Sequence, residues 1–238
     1  WLAEDKKMLK EIEQSEDIYE AFAIRFGQWD PDDGSLKQEP KLRHKVKAMV
    51  LGCGYGAGKK RFAQMANMTQ TEANSAVDLY RNSMRSVTRL WGNYSSGISS
   101  AYNLTVNGAE TPFTVDLPSK RHLNYGFIRS DGKGEDRHYY AYLMRHGKNV
   151  AVKMWGGFVA ENASQALARD IFSDMLVRID EAGYKIVLHV HDEVVIEADA
   201  DQAEESLQHI LKIMSEPPEW IPDIPLAAEG SILSRYTK

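Results

Sequence analysis

The sequence predicts an α+β fold, mostly helical in its first half, on three observations. Apolar residues recur at the 3.6-residue period from the N-terminus to about residue 94. Between 103 and 155 the pattern changes to short aromatic and β-branched runs, punctuated by the turn signals Asn107-Gly108 and Asp131-Gly132. From 185 to 197 two apolar runs enclose the polar triplet His191-Asp192-Glu193, as a pair of strands would.

The elements follow in order. Residues 1–26 read as helix from Leu2, Met8, Leu9, Ile12, Ile18, Tyr19, Phe22 and Phe26, and Ser15-Glu16-Asp17 can cap a second piece. Asp30-Pro-Asp-Asp-Gly-Ser35 is a loop. A helix over 40–65 comes next, and Thr69 can cap another over 70–94, with Glu72 in its first turn. Residues 95–102 either continue that helix or break it at Gly97. Phe113-Thr-Val115, Tyr125-Gly-Phe127 and Tyr139-Tyr-Ala-Tyr142 predict hairpin strands. Helix returns over 159–182 and ends at Gly183, a residue that suits a helix C-terminus. After the strand pair, a helix over 201–214 is broken by Pro217-Pro218, and a last strand runs over 225–229.

A chain of 238 residues, 43% hydrophobic and 26% charged, has an ordinary globular composition and room for one large or two small domains. No apolar run approaches the ~18 residues of a membrane span, so no membrane partner is expected. The single Cys53 excludes an intrachain disulfide and fits a reducing compartment. Net charge is −5, yet residues 41–61 carry seven of the 29 Lys and Arg and no acid, leaving 22 basic against 34 acidic residues elsewhere. A basic face on an acidic body suits a protein that grips phosphates at one place; a solvated helix face is the plainer explanation.

Within that basic stretch Arg43, Lys47, Leu51 and Tyr55 are four apart, which on a helix makes one stripe. Two cations, an apolar contact and a ring, in that order, suit a nucleoside triphosphate. Arg43 would meet phosphate through its fork and Lys47 as a point charge, with Leu51 and Tyr55 along sugar and base. Gly52, Gly54, Gly56 and Gly58 alternate here, each costing a helix roughly 1 kcal/mol. Either a ligand or second backbone approaches closely or the helix bends. Residues 49–57 also satisfy G-x-G-x-x-A, so a Rossmann-type dinucleotide or methyl-donor enzyme stays open, though no second strand with an acid follows. A P-loop fails, because Cys53 stands where Gly is needed and Lys60 where Ser or Thr is.

The adjacent carboxylates of Asp192 and Glu193 lie between apolar runs, which predicts burial on at least one face. Burying two such groups is costly unless a cation or hydrogen bonds compensate. A divalent metal with a phosphate-bearing substrate is one such compensation.

Arg43-x3-Lys47-x7-Tyr55-Gly56, with His191-Asp192-Glu193 far downstream, resembles motifs B and C of the family A DNA polymerases. Glu161-Asn162-Ala-Ser-Gln165-Ala-Leu-Ala-Arg169-Asp170 is similar to the E-N-x-x-Q-A-x-A-R-D helix of the bacteriophage-type branch. Leu117-Pro-Ser-Lys120-Arg121 is similar to its L-P-S-G-R strand, with Lys120 for the usual Gly. Pro225-Leu-Ala-Ala-Glu229-Gly230 resembles the final palm strand. The resemblance runs in register over nearly all 238 residues.

The resemblance implies helical fingers with a β-hairpin insertion and a partial palm with an antiparallel sheet. Residues 1–16 would lean on the palm. Residues 17–155 would form the fingers, with an O-helix-like segment at 40–65 and the insertion at 103–155, and 156–238 the C-terminal part of the palm. It implies template-directed addition of deoxynucleoside triphosphates to a primer 3′-hydroxyl, with primer–template DNA and dNTP as partners and Mg²⁺ as cofactor. Asp192, supported by Glu193, would be one of two aspartates holding the two Mg²⁺ ions of a two-metal phosphoryl transfer, and His191 would position the primer end. Arg43 and Lys47 would bind the triphosphate, Lys47 as candidate proton donor, and Leu51 would touch the sugar where the family usually has Phe or Tyr. Tyr55 would stack at the templating position, Gly56 would admit the template backbone, and Asn162 and Gln165 would read the minor groove. Tyr19 stands where bacterial members carry a phosphate-binding His.

The family's motif A, with the other metal-binding aspartate, belongs just upstream of Trp1 by the family's spacing. The expectation is therefore a chain inactive alone, needing a polypeptide or upstream region that carries motif A and the thumb. A non-catalytic DNA- or nucleotide-binding remnant is the alternative. The cytoplasm of a bacterium or phage-infected cell is the expected location.

Overall fold

A computed structural model describes residues 1–109 and 111–236, with the backbone alone at 135. Glu110, Thr237 and Lys238, which fall inside the segments expected above, lie outside the described residues. The fold is α+β. The chain divides into two compact units, one of Trp1–Val115 with His122–Ala163, the other of Asp116–Arg121 with Ser164–Lys238.

The first unit opens with α1 (Lys6–Glu13) and α2 (Ile18–Arg25), the second piece starting after Asp17, within the Ser15-Glu16-Asp17 stretch that offered a cap. One cap starts each helix. Asp5 accepts from the Met8 amide at 3.0 Å, and Asp17 from the Tyr19 amide at 3.1 Å, each satisfying an orphan N–H of a first turn. Arg25 reaches back to Asp5 and Glu11 at 2.8 and 3.0 Å.

The helix expected over 40–65 is likewise two, α3 (Pro40–Cys53) and α4 (Lys59–Met65). Proline at the first helical position launches α3, where its missing N–H costs nothing. Gly54 caps its C-terminus, Gly56 turns the chain at φ +71°, and Gly58 precedes α4. The alternating glycines therefore end one helix and start another. Then come α5 (Gln70–Ser83), opened by a full Thr69–Glu72 capping box, and α6 (Arg85–Val106). The break at Met84, missed by periodicity, arises because that residue leaves the helical region (φ −110°, ψ 53°) with its side chain buried. Helix α6 passes through Gly97 unbroken.

These helices bury Phe22, Phe26, Val46, Met49, Cys53, Phe62, Val77 and Tyr80 in one core. Each large side chain removed from water stabilises by about 1.5–3 kcal/mol. Cys53 is 2% exposed, and burial pushes its thiol up to about 12. A neutral, enclosed thiol reacts poorly. The native chain is expected not to react with a thiol-specific disulfide reagent at pH 7.5, and to react stoichiometrically in denaturant. Fast native labelling would mean that the core around Cys53 opens.

Strand β1 (Thr114–Asp116) pairs with β2 (His122–Asn124), and β3 (Arg129–Asp131), β4 (His138–Arg145) and β5 (Lys148–Met154) form an antiparallel sheet in that order. Hairpins were expected here, but Tyr125-Gly-Phe127 is not a strand. Gly126, at φ +69°, turns the chain and donates its N–H to the Asn124 side chain at 2.8 Å. Helix α7 (Gly156–Glu181) contributes residues to both units.

In the second unit the hairpin β6 (Lys185–Val190) and β7 (Glu193–Glu197) packs with α8 (Ala203–Ser215). Ile179, Ile210 and Ile213 form its core against Ile186, Val194 and Ile196. The strand expected over 225–229 is not a strand. Pro225 removes a ladder donor from this segment, and Pro222 another just before it, which disfavours pairing. Among the described residues no helix is long and apolar enough to cross a membrane.

Candidate functional site

Helix α3 buries Val46, Met49 and Cys53 in the core, which turns the stripe begun by Arg43 the other way. Arg43 is half-buried, Lys47 exposed, and Leu51 48% exposed, an apolar side chain left on the surface. Tyr55 does not share the helix. It lies half-buried in the turn after Cys53, because the glycines end α3 first. Gly52 is helical and lies under the Phe62 ring, 2.8 Å from where a Cβ would be, and Gly54 is a helix C-cap. Neither belongs to a strand–turn–helix, so the dinucleotide or methyl-donor reading loses its backbone.

Beneath the two cations lies Tyr19. The Arg43 guanidinium is 5.0 Å and the Lys47 ammonium 5.8 Å from its ring centroid, a geometry in which the ring's negative face attracts both. Asp17 completes the arrangement. Arg43 donates from Nε to Asp17 Oδ2 at 2.5 Å and from Nη2 to Oδ1 at 3.3 Å. Burial alone would raise the Asp17 carboxyl, but the Arg43 and Tyr19 hydrogen bonds and the charges of Arg43 and Lys37 hold it below its ordinary value. Sequence reasoning used Asp17 only as a helix cap. No spacing rule links it to Arg43, 26 residues on.

The register of β6 and β7 pairs Val190 with Glu193, which leaves His191 and Asp192 as a two-residue turn. His191 sits at φ +55°, a left-handed backbone that costs a side-chain-bearing residue about 1–2 kcal/mol. His191, Asp192 and Glu193 are all exposed. The expected burial of the triplet is thus corrected: a reverse turn projects its side chains outward, whatever the flanking strands bury. Val187 and Leu188 beside it are also exposed, at 49% and 38%. The Tyr236 hydroxyl donates to Glu193, which raises the phenol above its ordinary value.

Two carboxylates at a hairpin tip are the hard oxygen donors Mg²⁺ prefers, so donor chemistry fits. Donor number does not. Among the described residues no three His, Cys, Asp or Glu side chains gather where they could hold a metal ion. The residues present do not by themselves make a Mg²⁺ site.

Asn162, on α7, is half-buried and donates its amide to the Tyr125 hydroxyl at 3.1 Å. Gln165, also on α7, is exposed. Gly56 is partly exposed but closed on the side a Cβ would take, where the Trp155 ring would lie 2.4 Å away. Within the second unit, two stretches singled out from sequence meet at Asp170. It accepts from Ser119 Oγ at 2.5 Å and Arg121 Nε at 2.8 Å, fixing the turn in which Lys120 takes φ +65°.

The family model described as DNA polymerase family A matches residues 1–238. The DNA polymerase of Bacillus phage SP02 is 30% identical over 255 residues, spanning all of this chain and 39% of that protein. The thermostable DNA polymerase I of Thermus filiformis is 24% identical over 234 residues, covering 97% of this chain and 24% of its own length. The chain thus spans well under half of these relatives. Among solved structures, the POL domain of Pol1 from M. smegmatis, in complex with DNA primer-template and dNTP, shares the fold at a TM-score of 0.62 and 22% identity. That match covers 94% of this chain and 35% of the Pol1 chain.

Proposed function

Because this chain belongs to DNA polymerase family A, we propose that it serves template-directed DNA synthesis, the addition of deoxynucleoside triphosphates to a primer 3′-hydroxyl. The observation that best supports this reading is the outward Arg43 and Lys47 pair on α3, gathered over one aromatic ring. Such a pair suits a triphosphate: the Arg43 fork takes two phosphate oxygens, and Lys47 offers a point charge and a proton to departing pyrophosphate. Leu51 would lie against the deoxyribose and Tyr55 would stack at the templating position. Gly56 would keep the turn after α3 tight beside the template. Asn162 and Gln165 would read the minor groove, where a shared acceptor pattern permits sequence-independent checking.

Asp192 would be one ligand of a divalent-metal centre, with Glu193 beside it and His191 steadying the primer end. Bound Mg²⁺ would supply charge stabilisation for an in-line phosphoryl transfer. The remaining carboxylates, and the thumb that holds primer–template DNA, would come from polypeptide outside these 238 residues.

Primer extension tests this directly. The 238-residue chain with Mg²⁺ and dNTPs is expected to extend nothing. Adding the polypeptide that carries the thumb and second aspartate is expected to restore extension. Extension by the chain alone would overturn the requirement for a companion. If the complete mixture stays silent while still binding DNA or dNTP, the chain is a non-catalytic binding remnant.

A further inference from the structure

We propose that Asp17 is the positioning residue of the triphosphate site: held rigid as a helix cap, it orients the Arg43 guanidinium so that its free edge meets phosphate. The inference rests on the nucleotide reading of α3 and adds a residue to it.

Four features carry it. First, Asp17 is 6% exposed, the one charged residue among the buried positions described. A buried carboxylate persists only when paired and hydrogen-bonded. Second, it cannot swing. Its Oδ1 accepts from the Tyr19 amide at 3.1 Å, and its own N–H and C=O both engage Ser15 Oγ, at 3.4 and 2.8 Å. Third, Arg43 gives it one donor each from Nε and Nη2, which leaves three of the guanidinium's five N–H donors for an anion. The Arg43 side chain remains 34% exposed, so that edge is reachable. Fourth, Tyr19 follows Asp17 by two residues and supports both cations on its ring. One cap thereby places a carboxylate under one cation and an aromatic face under two.

A free arginine side chain is rich in rotamer entropy. Immobilising Arg43 before nucleotide arrives removes part of that cost from binding. Asp17 also cancels one of the stripe's two positive charges, so loss of the carboxylate alone would strengthen attraction for any anion. The positioning role and simple electrostatics therefore predict opposite signs.

The test is Asp17→Asn, because Asn caps a helix as well as Asp does and leaves α2 intact. Binding of dGTP with Mg²⁺, and separately of dGMP, is measured calorimetrically on the 238-residue chain. D17N is expected to weaken dGTP about tenfold, the effect of misdirecting one charge-assisted hydrogen bond, and to leave dGMP within twofold. In an Arg43→Ala background the same substitution is expected not to weaken dGTP, since no guanidinium remains to position and only a negative charge is lost. Unchanged or tighter dGTP binding by D17N overturns the proposal, as does equal weakening with and without Arg43, which would report damage to α2. If Arg43→Ala alone leaves dGTP affinity untouched, the nucleotide reading of α3 falls, and this proposal with it.

Discussion

Asp192→Ala is expected to reduce primer extension by the completed polymerase about a thousandfold, with little change in stability. A metal ion that stabilises transition-state charge is worth several kcal/mol, and each 1.4 kcal/mol is a factor of ten in rate. Loss of one carboxylate from the proposed centre removes most of that. Asp192 is exposed in a hairpin turn, and substitutions at such places change stability by about 0.5 kcal/mol or less. Triphosphate binding by the isolated chain should also persist, because Arg43 and Lys47 belong to α3, in the other unit. The measurement is extension rate beside a melting curve and dGTP affinity. Extension within tenfold of wild type would remove Asp192 from the proposed mechanism. A large fall in melting temperature would instead show that the turn supports the fold.

Gly56→Ala is expected to be strongly destabilising, for two reasons that act together. At φ +71° an L-residue pays about 1–2 kcal/mol in backbone strain. The new methyl would also stand 2.4 Å from Cζ3 of Trp155, and relieving such overpacking costs about 1–3 kcal/mol more. For a domain of this size the sum lowers the melting temperature by roughly 5–15 °C. Gly58→Ala is the matched control, since nothing lies within 4 Å of its would-be Cβ and its φ is −72°. It should melt within a degree or two of wild type. Equal melting of the two variants would contradict the left-handed turn against Trp155.

What was legible in the sequence is local. Helical periodicity located the helix-rich half, Thr69 and Asp17 announced their caps, and the two apolar runs announced β6 and β7. Each of these rests on interactions within about four residues, so spacing alone encodes it. Boundaries were less legible. Met84 and the glycines after Cys53 divide helices whose apolar pattern continues across the break, because amphipathic faces on both sides bury into the same core.

The site divides in the same way. Residue types and order, Arg43-x3-Lys47 and His191-Asp192-Glu193, were enough to propose triphosphate and metal chemistry and to place the chain beside the DNA polymerases. The tertiary structure alone decided the environments. It drew Asp17 and Tyr19 under cations that lie more than 20 residues away in sequence, put Trp155 against Gly56, and left the carboxylate triplet in solvent at a hairpin tip. Burial, pairing and backbone hand depend on which distant elements pack together, and a linear pattern of residue types does not carry that information.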